Sequence, residues 1–323
     1  MSIKMPYSGV FAPLCEEFIA QKRAIGYRYR EEDRQLKYFD RFSREHGLRD
    51  QVLSREMVEA WVKRRSHEAP KSRAHRVTII REFARFLVAK GHTAHILPPQ
   101  RKNAATDFVP YIFSKTEIAK ILGAADRMME RAVSPFVHLV IPVLLRTLYG
   151  CGLRISEALA LRVKDVDLEK GCFIVLDSKC DDNRIVPMSA TLLERCRAYI
   201  TAIPLLSSPD TPFFPNRHGG SMGTRGVYAQ YRYILWRAGI SHGGRGKGPR
   251  LHDLRHTFAV HAMRQLIAAR RELTTMPPIL SAYLGHKCLA STETYLRLVA
   301  DAYPETAQMF EKHFAGVMPR RLP

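Results

Sequence analysis

The chain has no apolar run long enough to cross a membrane. Its longest, Phe136 to Leu145, covers ten residues and includes His138 and Pro142, where a bilayer helix needs about twenty. The opening residues, MSIKMPYSGVFAP, contain no apolar segment of the secretory-signal type. The six cysteines, at 15, 151, 172, 180, 196 and 288, include no C-x-x-C pair. Neither a disulfide framework nor a zinc-ligand spacing can be read from them. Internal repeats and low-complexity tracts are absent too. The expectation is a soluble, cytoplasmic protein with reduced thiols.

Acidic residues are the other shortage. The 323 residues carry 51 Lys+Arg against 31 Asp+Glu, a formal net charge of +20. Such an excess favours a polyanionic partner, either nucleic acid or an anionic membrane surface. Residues 1–105 hold 22 basic and 12 acidic groups, and residues 106–323 hold 29 and 19. Each part therefore carries net +10, which a single basic tail would not give. Hydrophobic residues at 46% and charged residues at 25% are ordinary for a folded chain, and the length suggests about two domains.

Residues 8–92 read as almost wholly helical. Phe11, Leu14, Phe18 and Ile19 recur with helical period, as do Leu36, Phe39 and Phe42. Ser54 looks like a helix cap. A helix from Ser72 to Lys90 would bury Val77, Ile80, Phe83, Phe86 and Leu87 and expose Lys71, Arg73, Arg76, Arg81, Arg85 and Lys90. The stretch GHTAHILPPQRKNAA has two prolines and little periodicity, and reads as a linker. The expected division is a helical domain over 1–92, a linker over 93–109 and a second domain over 110–323. Within the second domain, helices are expected at 114–123, 134–149, 190–203, 224–238, 251–270, 276–284 and 291–299. Strands at 172–176 and 184–187 flank a polar turn. The predicted fold class is mainly α with a small antiparallel β-sheet.

Several short strings could carry chemistry. In LHDLRHTFAVH, His252 and Arg255 lie one helical turn apart and can face one ligand. A guanidinium and an imidazole together suit a phosphate. The same string resembles the H-E-x-x-H zinc motif through His252 and His256, but Asp stands in place of Glu and no third ligand follows. In GLRISEAL, Arg154 sits at a glycine turn before a helix, where it could meet an anion or simply pair with Glu157. Lys179 occupies the turn between the strands, as a mobile proton donor or a solvated lysine. YLGH places His286 nine residues before Tyr295, and a tyrosine can attack phosphorus if nearby cations favour its phenolate. Singly, each of these strings is as readily structural.

The ordered set Arg154, Lys179, His252-x-x-Arg255, Leu-Gly-His286 and Tyr295 resembles the tyrosine recombinase (phage integrase-like) family. The flanking GLRISEAL, the K-x-x-x-x-R-x-V-P pattern from Lys179 to Pro187, HDLRHTFAVH and YLGH extend that resemblance. It implies a two-domain, C-shaped DNA clamp, with the helical N-terminal domain as core-binding domain. It also implies cleavage through a 3′-phosphotyrosyl link to Tyr295. Arg154 and Arg255 would hold the phosphate, Lys179 would protonate the leaving 5′-oxygen, His252 would assist Tyr295, and His286 would hydrogen-bond the phosphate. Glu157 would orient the Arg154 region. No metal or other cofactor is implied. The implied partners are double-stranded DNA, three further copies in a synaptic tetramer, and other recombinases of the same element. Residues after Pro304, with Phe310 and Phe314, would form a helix docked on a neighbour or on its own domain.

The chain departs from the family's pattern in two places. The turn after Lys179 reads CDDN, less basic than in many relatives, and the stretch from Arg255 to His286 is about two helical turns longer than in compact members. The second feature resembles recombinases of transposons and leads to the expectation of a bacterial, nucleoid-associated mobile-element enzyme. Competing readings are a type IB topoisomerase-like enzyme, a chromosome-dimer-resolving recombinase, a non-catalytic DNA-binding protein and a zinc hydrolase.

Overall fold

The computed structural model describes residues 6–99, 109–176, 183–244, 248–269 and 276–285. They are mainly helical with one small antiparallel sheet. The chain divides into two compact units, the first ending at residue 107.

The first unit contains α1 (Ala12–Ala24), α2 (Arg30–Glu45), α3 (Arg55–Val62) and α4 (Pro70–Ala89). Helical spacing puts one face of each helix inward, and an aromatic cluster fills the centre. Phe18 meets Phe83 with ring centroids 5.6 Å apart, and Phe39 meets Trp61 at 5.5 Å. The predicted buried face of α4 is the observed one. Ser54 caps α3, accepting from the Met57 backbone N–H at 3.3 Å. Arg76 departs from the charged face expected for it. It is buried, donates to Glu68 and to the Lys63 carbonyl, and lies 5.2 Å from the Trp61 ring. A helical wheel cannot reveal an inward arginine whose anionic partner lies eight residues away, outside the helix.

The second unit begins with α5 (Lys115–Asp126), whose Ser114–Glu117 capping box satisfies its first donors. The apolar α6 (Val137–Gly150) follows and packs against α5 and two later helices. A turn leads to the four-residue α7 (Ile155–Ala158). The sheet holds β1 (Val166–Asp167), β2 (Cys172–Val175) and β3 (Arg184–Pro187), all antiparallel in that order. Phe173 pairs with Val166 on one side and Val186 on the other. Two strands were expected; β1 is too short to carry an alternating pattern. After the sheet come α8 (Ala190–Ala202), α9 (Thr224–Arg237), α10 (Asp253–Ala268) and α11 (Met276–Leu284).

Helices α8 and α10 are the two later helices that pack on α6, which also touches the short α7. Residues of α10 and α11 form a second small core of Ala259, Val260, Met263, Ile267, Leu280 and Leu284. Cys15, Cys151, Cys172 and Cys196 are free and buried. The turn expected around Lys179, most of the expected linker, the helix expected at 291–299 and the segment after Pro304 lie outside the described residues.

Candidate active site

The turn from α6 to α7 is fixed by a glycine. Gly152 has φ +61°, and a Cβ there would lie 2.4 Å from a ring carbon of Phe258 on α10. Its carbonyl accepts from Arg255 Nη1 at 2.7 Å. The turn therefore seats on α10 and delivers Arg154 to the point where that helix begins. Glu157 follows one turn later and closes back on Arg154. Its Oε2 accepts from the Arg154 backbone N–H at 2.8 Å, and its Oε1 accepts from Arg154 Nη1 at 2.6 Å.

Glu157 collects two more guanidiniums. Arg184, on β3, donates to its Oε2 at 2.8 Å, and Arg255 Nη1 stands 3.8 Å from the same oxygen. The carboxylate is only 10% exposed. Burial alone would raise its pKa. The Arg184 hydrogen bond, the Arg154 backbone N–H and the adjoining positive charges outweigh that and hold it below the ordinary carboxylate range.

The same three arginines also take consecutive carbonyls at the end of α11. Arg184 Nε donates to Tyr283 at 3.0 Å, Arg255 Nη2 to Leu284 at 2.7 Å, and Arg154 Nη2 to Gly285 at 2.9 Å. The last carbonyls of a helix have no partner within it and carry its partial negative charge, so cations suit that position. Arg255 is buried, whereas Arg154 is about one-third exposed. Arg154 is thus the more accessible of the two arginines predicted to hold a phosphate.

His252 precedes α10 by one residue and is exposed on one side. Its pKa is lowered to about 4, first by partial burial and then by the charges of Arg255, Arg154 and Arg250, against a smaller upward pull from Glu157. The ring is therefore a neutral proton acceptor at pH 7. Its neighbour Asp253 is buried and accepts from the Arg250 backbone N–H at 2.7 Å. One turn on, Thr257 donates to the Asp253 carbonyl and accepts from the Phe113 N–H, which ties the start of α10 to the segment before α5. His252 and His256 stack edge to face, 4.7 Å between centroids.

Of the six predicted site residues, Arg154, His252 and Arg255 come together around Glu157. Lys179, His286 and Tyr295 lie outside the described residues. Arg184 joins the first three from outside the predicted set, at the arginine of the K-x-x-x-x-R-x-V-P pattern. The available signal was a charged residue on a strand whose neighbours Ile185 and Val186 are apolar.

Residues 111–301 match the model of the phage integrase family. The chain belongs to the phage integrase family. It is a tyrosine recombinase, of the kind that cleaves and rejoins DNA strands. Over 315 residues it is 28% identical to y4rB of Sinorhizobium fredii, which carries the name integrase/recombinase, with 94% of this chain and 98% of that protein aligned. Similarity to y4rE of the same organism, named likewise, is 30% over 288 residues, 87% of this chain and 89% of the relative. Among solved structures, the Tn1549 transposon integrase in complex with transposon right end DNA superposes with a TM-score of 0.64 at 17% identity, covering 94% of this chain and 99% of that one. At that identity the likeness is one of fold.

Proposed function

We propose that this family member is a site-specific recombinase of a mobile element, acting through a 3′-phosphotyrosyl intermediate. The observation that carries the reading is the gathering of Arg154 and Arg255 on one buried carboxylate, with the neutral His252 beside them. Two held guanidiniums are the preorganised positive charge that a pentacoordinate phosphorane requires. In this reading the Tyr295 oxygen attacks the scissile phosphorus, with His252 assisting its deprotonation. The bond from phosphorus to the 5′-oxygen breaks, and Lys179 supplies the proton that the leaving oxygen takes. His286 donates to a phosphate oxygen. The phosphotyrosyl ester retains the bond energy, so a 5′-hydroxyl can reverse the step without ATP.

Both units are basic, with net charge +9 over residues 1–107 and +11 over residues 108–323, and both would contribute contacts to the duplex. Synapsis by four copies would follow, with the segment after Pro304 joining neighbours. The names of the Tn1549 transposon integrase and of the integrase/recombinases y4rB and y4rE support a role in integration, excision or transposition.

Covalent trapping tests this. Nicked suicide duplexes made from DNA on either side of the gene are incubated with the protein and a chelator, and SDS-resistant adducts are sought. The expected result is an adduct with wild type that disappears in Tyr295→Phe. An adduct that persists in Tyr295→Phe overturns the assignment of the nucleophile. One that forms only when divalent metal is added overturns the metal-free chemistry.

A further inference from the structure

Arg184 differs from the other two arginines in where it comes from. Arg154 and Arg255 belong to the α6–α7 turn and to α10, whereas Arg184 stands on β3, opposite Val175 of β2. Its side chain is 11% exposed and spans two elements at once. Nη2 binds the Glu157 carboxylate and Nε binds the Tyr283 carbonyl. Gly285 is shaped around it. That residue has φ +66°, and a Cβ there would approach Arg184 Nη1 to 2.8 Å. An alanine at 285 would meet both an unfavourable backbone conformation and the guanidinium.

We propose that Arg184 is a positioning residue of the recombinase site. It clamps the end of α11 to Glu157 and so sets the aim of Arg154. The proposal rests on the function given above. Two bonds leaving one planar group in fixed directions make a bracket that an ammonium cannot reproduce. Arg184 would also tie β3 to the arginine pair. It would act through Glu157 and α11 and would not touch the phosphate.

The test combines two variants and two readouts. Arg184→Met keeps the length and loses the bracket; Arg184→Lys keeps the charge and can hold only one of the two partners. On the suicide duplexes above, Arg184→Met should slow adduct formation by about 30-fold at saturating DNA, because misplacement by an ångström costs on the order of 100-fold. The DNA concentration giving half-maximal rate should stay within about twofold of wild type, and Arg184→Lys should fall between. Added to Glu157→Gln, Arg184→Met should cost no more than about threefold further, since both changes act on one contact.

The second readout needs no reaction. Hydrogen exchange in peptides covering 276–285 should quicken at least about fivefold in both variants while peptides of α6 exchange as in wild type. Unchanged exchange at 276–285 overturns the proposal. So does a fully multiplicative double variant, or a loss of DNA affinity that accounts for the slowing. If wild type forms no adduct on any DNA, the functional reading fails, and the exchange experiment still decides whether Arg184 holds α11.

Discussion

His252 is a histidine placed among arginines. Its pKa near 4, against an ordinary value of 6.5, makes the folded protein resist a proton that the unfolded chain accepts. Between those two pH values the unfolded state binds more protons, so stability from this group is complete above about pH 6.5 and is lost as pH falls toward 4. An NMR titration of the His252 ring should give a midpoint near 4, and in Glu157→Gln the midpoint should move lower still, because Glu157 is the group pulling it upward. A midpoint near 6.5 in the wild type would remove the basis for a neutral proton acceptor flanked by cations.

Turns and short elements decide where these side chains meet. The Gly152 turn illustrates the point: Gly152→Ala should cost about 3 kcal/mol, combining a left-handed backbone with a Cβ driven into Phe258. Gly26 has a left-handed backbone as well, but nothing lies within 4 Å of a Cβ there, so Gly26→Ala should cost only about 1 kcal/mol. Urea denaturation of the two variants checks the difference; equal costs would mean that the contact with Phe258 yields. At this scale the sequence was legible where periodicity speaks. The buried face of α4 and the bounds of β3 and α11 follow from the spacing of apolar residues and from flanking breakers. The two-residue β1 and the buried Arg76 do not, since neither an element of that length nor a partner distant in sequence leaves a periodic trace. For the same reason Arg154 and Arg255 could be read from their motifs, while Arg184 could not be joined to them. Its partners, Glu157 and the Tyr283 carbonyl, lie 27 and 99 residues away.

Across the whole molecule the net +20 is shared equally between residues 1–105 and 106–323. Binding to duplex DNA should therefore weaken steeply with salt, with log K falling against log salt at a slope of roughly −5 to −9. Arg154→Ala should reduce that slope by about 1, one phosphate contact fewer. Fluorescence anisotropy over a salt series measures both, and a flat dependence would exclude the polyanion reading altogether. The tie of three arginines to the last carbonyls of α11 reaches further than the site itself. A helix pinned at its final turn is indifferent to how much chain is fed into its beginning. Insertions and deletions between α10 and α11 can then accumulate without shifting Leu284 and Gly285, so the stretch that joins the two helices is free to vary in length while the end of α11 stays in place.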